Sequence, residues 1–420
     1  MSVEKKVPEI RFEGFSGEWV EHKLQDLTEN GFSNGVFNDP QKVGKGYRLI
    51  NVKDMYSGDC IDVDGLSLVD IDEKEFKNNK VQYGDIFFTR SSLVKEGIAY
   101  SNVNLSDRSD LTFDGHLIRM QPCKATTDPV FLASLFKTSS ARKQLILGGK
   151  TTTMTTIGQS DIAIVELALP EKQEQTQIGN TFQKLDSLIN QHQQKHDKLS
   201  NIKKAMLEKM FPKQGETIPE IRFKGFSGEW EEVSLSDFGV ATSGTSIESE
   251  FTKDGKYKVI SIGSYSENSV YTEQGIRASL SPKTESRVLN KNDLTMILND
   301  KTLAGNIIGR VLLIDEDDTY VYNQRTQRIE PFSDYEPQFL YQLLNAPLVR
   351  KKIFKASQGN TQIYVNWSAI SKLKYLIPKK DEQTAIGNYF QKLDALINQH
   401  QQQITKLNNI KQACLSEMFI

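Results

Sequence analysis

Two stretches of the chain carry apolar residues and histidines in alternating steps of four and three, the spacing that places side chains on one face of a helix. Each stretch follows a proline, Pro170 or Pro378. The positions are Ile178, Phe182, Leu185, Ile189, His192, His196 and Leu199 in the first stretch, and Ile386, Phe390, Leu393, Ile397, His400, Ile404 and Leu407 in the second. Each predicts a coiled-coil helix of about 35 residues, on the order of 50 Å long. Because the other positions are rich in Gln, Asn and Lys, a lone helix is marginal, and we expect the two to pair antiparallel as a spacer.

Short apolar runs separated by Gly, Asn and Asp precede each of these helices, a pattern typical of strands joined by turns. The predicted strands are residues 47–52, 85–89, 98–103 and 117–120 in the first half of the chain, and 257–262, 294–298, 307–314 and 327–330 in the second. A helical spacing of apolar residues follows, at 131–145 and 339–353. Each half therefore predicts an α+β domain.

An internal repeat links the two halves. PEIRFEGFSGEW, at residues 8–19, returns as PEIRFKGFSGEW at 219–230, and EQTQIGNTFQKLDSLINQHQQ, from Glu174, returns as EQTAIGNYFQKLDALINQHQQ, from Glu382. Between these matched ends, apolar positions keep their spacing while polar residues change. The repeat predicts an α+β protein with two domains, 1–170 and 214–378, related by a pseudo-twofold axis and separated by the long helices, 171–213 and 379–420. The domains share a fold and differ in what they recognise.

Composition narrows the class of protein. At 420 residues the chain is long enough for more than one domain. A net charge of -2 counts against a protein that wraps nucleic acid unaided, but it permits local basic faces. No apolar run approaches the roughly 18 residues of a membrane helix, and the N-terminus lacks the apolar core of a signal peptide. Cys60, Cys123 and Cys414 have no metal-ligand spacing, so we expect buried thiols in a cytoplasmic protein.

Candidate catalytic and metal motifs are weak. Gly149-Lys150-Thr151, with Gly359-Asn360-Thr361 at the corresponding place in the second copy, resembles the end of a phosphate-binding loop, but Gln144 replaces the required earlier glycine. His192 and His196 have the i, i+4 spacing of a zinc site, yet one counterpart in the second copy is Ile404, so we interpret them as packing residues. The FEGFSG segment lacks the third glycine of an S-adenosylmethionine turn at its required place. No pair of carboxylates has a spacing along the sequence that indicates acid and base roles, so the sequence predicts no catalytic site.

Polar and basic loops remain as candidates for contacts with nucleic acid. Arg and Lys can donate to guanine, Asn and Gln can pair with adenine, and Ser and Thr can bind phosphate oxygens, although the same residues are common in ordinary loops. The candidates are Arg90, Ser91, Ser92, Lys95, His116, Lys150, Thr151, Thr152 and Thr153 in the first domain, and Asn299, Asp300, Lys301, Tyr322, Asn323, Gln324, Arg325, Asn360, Thr361 and Gln362 in the second.

Two variable domains, each followed by a nearly identical helix with the pattern EQxxIGxxFQKLDxLINQHQQ, resemble the DNA-specificity subunits of type I restriction-modification systems. The PEIRFxGFSGEW opening and the segment that begins at Gly359 and leads to Pro378 belong to the resemblance, which covers essentially the whole chain. It implies two target-recognition domains, each reading one half of a bipartite double-stranded DNA target, with the helices setting the gap. It also implies a chain that has no catalytic activity and binds no cofactor.

The resemblance implies partners as well. Two modification subunits, which bind S-adenosylmethionine and methylate adenine at N6, are expected to assemble with one specificity subunit, and restriction subunits complete the full complex. Residues 178–210 and 386–418 are expected to bind the modification subunits. Half-sites centred roughly 10 base pairs apart and a salt-dependent affinity are expected. The repeat and the apolar faces of the two long helices, here called the seams, also fit a coiled-coil scaffold whose domains bind proteins. The missing motifs disfavour a self-contained endonuclease or methyltransferase.

Overall fold

The computed structural model describes residues 7–37, 40–151 and 153–420. The chain divides into two compact units: unit 1 contains Met1–Gln193 and Gln401–Ile420, and unit 2 contains Gln194–His400. The two predicted long helices are confirmed as Lys172–Lys209 and Lys380–Glu417, and the division falls within both of them. Among the described residues, no helix combines the length and the hydrophobicity needed to cross a membrane.

Unit 1 consists of short strands packed against short helices. Its strands are Val20–Lys23, Thr28–Asn34, Val43–Ile50, Ser67–Val69, Ile86–Thr89, Ser91–Ser92, Ser101–Val103, Leu111–Phe113, Leu117–Pro122, Lys150–Thr151, Thr155–Thr156 and Glu166–Leu169. Its shorter α-helices are Glu73–Asn79, Pro129–Leu135, Ser139–Leu147 and Gln159–Ala163, and its 3₁₀ helices are Leu24–Leu27, Pro40–Lys42, Val52–Tyr56 and Lys95–Gly97. The largest sheet among the described residues is antiparallel, with the strands that begin at Thr28, Leu117, Ile86 and Ser101 in that order.

Unit 2 repeats this plan. Its strands are Glu231–Ser234, Gly239–Ser243, Tyr257–Ile260, Arg277–Ala278, Leu294–Ile297, Asn299–Asp300, Val311–Leu313, Tyr320–Tyr322, Thr326–Pro331, Ile363–Tyr364 and Lys374–Ile377. Its shorter α-helices are Pro282–Glu285, Pro337–Asn345, Pro347–Lys355 and Trp367–Ile370, and its 3₁₀ helices are Leu235–Phe238, Glu248–Glu250 and Ile262–Ser264. The corresponding sheet has the order Gly239–Ser243, Thr326–Pro331, Leu294–Ile297 and Val311–Leu313. The prediction of two α+β domains is confirmed.

The helical stretch predicted after the strands of each unit is broken into two helices. In unit 1 the break precedes Ser139, where the Thr138 side chain accepts a hydrogen bond from the Ala141 N–H and caps a new helix. In unit 2 the second helix starts with Pro347, which has no N–H to continue the preceding helix. Apolar spacing alone did not reveal these breaks, because it continues across them.

Within each unit, parts of the two long helices pack antiparallel. In unit 1 the Phe182 and Phe419 rings lie 5.8 Å apart, and the Lys411 ammonium is 2.6 Å from the Asp186 carboxylate. In unit 2 the Lys203 ammonium is 2.6 Å from the Asp394 carboxylate. The apolar seam residues are all buried or half-buried, namely Ile178, Phe182, Leu185, Ile189, Leu199, Ile386, Phe390, Leu393, Ile397, Ile404 and Leu407. The antiparallel seam is thus confirmed within each unit, while its role as a spacer, like the four-part division of the chain, stays a prediction.

The repeated sequence motifs contact each other. In unit 1 the Arg11 guanidinium donates two hydrogen bonds of 2.7 Å to the Glu174 carboxylate, which is fully buried, and a third of 2.6 Å to the Gly17 carbonyl. In unit 2 Arg222 makes the same contacts with Glu382 and the Gly228 carbonyl. These hydrogen bonds join the PEIRF segment, the GFSGEW turn and the start of the long helix. The three segments therefore recur together in the sequence.

The expectation of buried thiols is wrong for Cys60. This residue is exposed, whereas Cys123 and Cys414 are half-buried, and all three are free thiols. Cys60 lies in the irregular segment after the 3₁₀ helix Val52–Tyr56. A cysteine count gives the redox class of a protein but does not report the burial of each thiol.

Candidate nucleic-acid interface

Two regions that are distant in the sequence of unit 1, residues 91–92 and 150–156, meet in one small sheet. Ser91–Ser92 pairs antiparallel with Thr155–Thr156, which pairs antiparallel with Lys150–Thr151. The Arg90 backbone joins this sheet to a further loop, because its N–H donates to the His116 carbonyl over 3.1 Å while its carbonyl accepts from the Ile157 N–H. Candidate residues that the sequence placed in three separate loops therefore lie side by side.

The side chains of this sheet and its loops form a basic surface, here named the unit 1 patch. Its exposed members are Arg90, Lys95, His116, Lys150, Thr151 and Thr153, and its half-buried members are Ser91 and Ser92. The Lys150 ammonium lies 3.2 Å from the Asp161 carboxylate, and the His116 ring is hydrogen-bonded to Asp114. Thr152, the remaining candidate of the first domain, lies outside the described residues.

Unit 2 builds the same frame from different residues. Asn299–Asp300 pairs antiparallel with Ile363–Tyr364, and the Leu298 N–H donates to the Arg325 carbonyl over 2.8 Å, as Arg90 does to His116. Gln358 is bridged to Tyr364 as Lys150 is paired with Thr156. Lys150 therefore corresponds to Gln358, and the sequence-based match of Gly149-Lys150-Thr151 with Gly359-Asn360-Thr361 is wrong, because sheet pairing rather than the glycine sets the register.

Six of the ten unit 2 candidates are exposed and define the unit 2 patch. They are Lys301, Gln324, Arg325, Asn360, Thr361 and Gln362. The other four, Asn299, Asp300, Tyr322 and Asn323, are buried. The Asp300 carboxylate accepts hydrogen bonds from the Thr302 N–H and hydroxyl and from the Ile307 N–H, so it holds its own loop. These four side chains are therefore not part of the exposed unit 2 patch.

The two patches differ in charge. The unit 1 patch carries the cations Arg90, Lys95 and Lys150, the last beside the Asp161 carboxylate, and the unit 2 patch carries Lys301 and Arg325. In the unit 2 patch, the Gln324 amide donates to the Glu248 carboxylate over 3.0 Å, and buried Asn323 donates to the same oxygen. A hydrogen bond from Ser246, followed by that from Asn323, lowers the pKa of Glu248 below its usual value. Glu248 therefore keeps a negative charge beside the unit 2 patch.

Sequence reasoning missed two arginines that organise these surfaces. The Arg142 guanidinium donates to the carbonyls of Glu96, Ile98 and Ala99 over 2.6–2.8 Å, immediately after the loop that carries Lys95. Burial lowers the pKa of Arg142, and it lowers that of Arg350 in unit 2 to about 10. A guanidinium nevertheless remains cationic at neutral pH. The signal in the sequence was an Arg-Lys pair at 142–143 and again at 350–351.

The chemistry of both patches is that of non-covalent recognition. Guanidinium, ammonium, amide and hydroxyl groups bind phosphate oxygens and base edges. No group of three or more His, Cys, Asp or Glu side chains is placed to hold a metal ion in residues 7–37, 40–151 and 153–420. His196, one of the two histidines with zinc-site spacing, has its ring 3.0 Å from the Asp197 carboxylate on the next residue.

Comparison with known sequences identifies relatives of both units. The sequence model of the family described as type I restriction modification DNA specificity domain matches residues 16–201 and 227–409. The MjaVIII type I restriction enzyme specificity subunit of Methanocaldococcus jannaschii is 27% identical over 244 residues, which are 56% of this chain and 56% of that protein. The EcoKI specificity subunit of Escherichia coli is 27% identical over 192 residues, 44% of this chain and 40% of that protein. The matches thus span about half the length of these curated relatives or less.

A solved structure shares the fold. The crystal structure of the type I restriction-modification S subunit from M. genitalium aligns with 99% of this chain and 99% of its own, at a TM-score of 0.62 and 15% sequence identity. At that identity the similarity concerns the fold, and it includes both repeats.

Proposed function

The chain belongs to the type I restriction modification DNA specificity family, and from this premise we propose that it is the DNA-specificity subunit of a type I restriction-modification system. Each unit reads one half of a bipartite DNA target. The observation that carries the proposal is that each unit gathers exposed polar and cationic side chains from distant loops on one frame. The frames match and their side chains differ, as two different half-sites require.

The proposed subunit is non-catalytic and binds no cofactor of its own. Modification subunits bind S-adenosylmethionine and methylate adenine N6, restriction subunits complete the complex, and all of them act in the cytoplasm. The long helices support docking of the modification subunits, because Leu188 and Leu396 occupy the same position in the two copies and each is 44% exposed. A leucine at the same exposed position of both helices offers two like partners the same apolar contact, which gains free energy when it is buried.

The unit 1 patch leads to a prediction about salt dependence. The double substitution Arg90→Ala and Lys150→Ala removes two cations placed for phosphate contact. We expect the affinity of the complex for its target duplex to fall about 10- to 100-fold, and the slope of log K against log salt to become shallower by about 2, because each phosphate contact contributes about 0.9. Fluorescence anisotropy with a labelled duplex at several salt concentrations measures both quantities.

The matched control removes two cations elsewhere in unit 1. Lys45 and Lys77 are exposed and form ion pairs with Asp70 and Glu73. The Lys45→Ala and Lys77→Ala double variant is expected to keep the wild-type affinity and slope. Equal losses in both double variants would show that net charge, not the patch, is responsible. A wild-type complex that binds all duplexes alike would contradict the proposed function and favour a scaffold that binds proteins.

A further inference from the structure

Residues 91–97 in unit 1 and 299–305 in unit 2 leave the two small sheets at equivalent places and are here named the tip loops. In unit 1 the Ser92 hydroxyl accepts a hydrogen bond from the Val94 N–H, and in unit 2 the Asp300 carboxylate accepts one from the Thr302 N–H. Each loop leaves the small sheet that frames its patch and ends at a glycine. Gly305 has a φ of +65°, which glycine adopts without strain.

An arginine from a neighbouring helix holds the end of each tip loop. Arg350, on Pro347–Lys355, donates to the carbonyls of Gly305, Asn306 and Ile308 over 3.0–3.4 Å. Arg142 likewise makes three bonds to backbone carbonyls in unit 1, those of Glu96, Ile98 and Ala99. Three charge-assisted hydrogen bonds to backbone carbonyls restrict the loop before any ligand arrives, so that binding costs less conformational entropy.

The held loops present apolar side chains to solvent. Leu93 is 87% exposed and Val94 61% exposed in the unit 1 tip loop, and Leu303 is 57% exposed in the unit 2 tip loop. Neither loop is a simple hydrophobic patch, because Lys95 is exposed in one and Lys301 in the other. Exposed apolar residues among cations fit a ligand that has a polyanionic backbone and apolar faces, which describes a DNA duplex.

The tip loops match at their starts and then differ in length. The turns at Ser92 and Asp300 place Leu93 at the position of Lys301. Ala99 donates to the Thr89 carbonyl, whereas Gly309 donates to the Ile297 carbonyl, so the unit 2 segment is two residues longer before it rejoins its sheet. The two frames therefore carry different side chains on loops of different length, as the reading of two different half-sites requires.

We propose that Leu93 and Leu303 are specificity residues that contact bases of the two half-sites, and that Arg142 and Arg350 are positioning residues that hold the tip loops. This inference rests on the proposed function and names the residues through which it acts. A leucine can touch the methyl group of thymine or enter the step between two base pairs.

The test uses the full chain assembled with its modification subunit. Methyl transfer is measured on duplexes in which one half of the motif methylated by the wild-type complex is varied base by base. Leu93→Ala is expected to lower discrimination at one or more positions of one half-site about tenfold, the effect of losing a good base contact, and Leu303→Ala is expected to act only on the other half. Replacing thymine by uracil, which lacks the methyl group, distinguishes the two kinds of contact. The rate of methyl transfer by the wild-type complex should fall at that position if leucine contacts the thymine methyl group. The rate should stay unchanged if leucine enters the step between two base pairs.

Val20→Ala is the control, because Val20 is an exposed apolar residue of unit 1 in the strand that pairs with Glu166–Leu169. If Leu93→Ala and Leu303→Ala discriminate like Val20→Ala while the wild type still methylates a gapped motif, the tip-loop inference is overturned and the proposed function stands. If the wild type methylates no gapped motif, the function itself fails.

The role of Arg142 is tested by Arg142→Lys, which keeps the charge but loses the planar fork that reaches three carbonyls. We expect reduced discrimination at the same half-site positions that Leu93→Ala affects, with the other half-site unchanged. A variant that melts at a lower temperature but discriminates both half-sites like the wild type would show that Arg142 stabilises unit 1 without positioning the loop.

Discussion

Replacing Phe419 with alanine is expected to lower the free energy of unfolding of unit 1 by about 3–5 kcal/mol, the usual cost of truncating a buried aromatic side chain. Phe419 lies near the C-terminal end of the chain, yet it packs against Trp19, Phe131 and Phe182, with ring centroids 5.4–6.1 Å apart. These rings come from the repeated opening segment, a short helix and the first long helix. The alanine variant leaves a cavity where the three meet.

Hydrogen exchange followed by mass spectrometry measures this effect unit by unit. Phe211 is the counterpart in unit 2, where it packs against Trp230, Phe339 and Phe390. Phe419→Ala should lower the protection of backbone amides from exchange in unit 1. Phe211→Ala should lower it in unit 2. The control Phe37→Ala, at an exposed phenylalanine of unit 1, should change stability by less than about 0.5 kcal/mol. Equal loss in both units from either core variant would contradict the assignment of each ring to one core.

Glu174→Ala should destabilise unit 1 by about 3 kcal/mol or more, because it leaves the Arg11 guanidinium without its carboxylate in a largely buried site. The pair joins the opening segment to the start of the long helix through two hydrogen bonds of 2.7 Å. Urea denaturation measures the change. Glu382→Ala should have the same effect in unit 2, where Arg222 is the partner.

Glu166→Ala is the matched control for this pair. Glu166 forms an exposed ion pair with Lys23 at 3.8 Å, and such surface pairs contribute less than about 1 kcal/mol. If Glu174→Ala shifted the denaturation midpoint no more than Glu166→Ala, the buried pair would not hold the motif together.

The repeat, the long helices and four strands of each unit were predictable, because each leaves a regular spacing of residues in the sequence. The strand predicted at 117–120 is Leu117–Pro122, and that predicted at 257–262 is Tyr257–Ile260. The edge strand Thr28–Asn34 was not predicted, since its sequence TENGFSN has no apolar alternation. Its place in the sheet comes from pairing with Leu117–Pro122, a contact that spacing along the chain does not encode.

The candidate site was predictable in residue type but not in burial. Arg90 and Lys150 were named from separate loops, and only the pairing of Ser91–Ser92 and Lys150–Thr151 with a common strand brings them together. Asp300 looked like a loop residue available to DNA, yet its carboxylate is used by its own loop. Arg142 was overlooked because its partners are backbone carbonyls, which any sequence supplies.

Mapping N6-methyladenine across the genome of a host that expresses this chain with its modification subunit, compared with a host that lacks only this chain, tests whether the two units read DNA. We expect methylation at one new motif made of two different half-sites separated by a gap of unspecified bases. Absence of any new motif, with the complex shown to assemble, would contradict the claim that the two units read DNA.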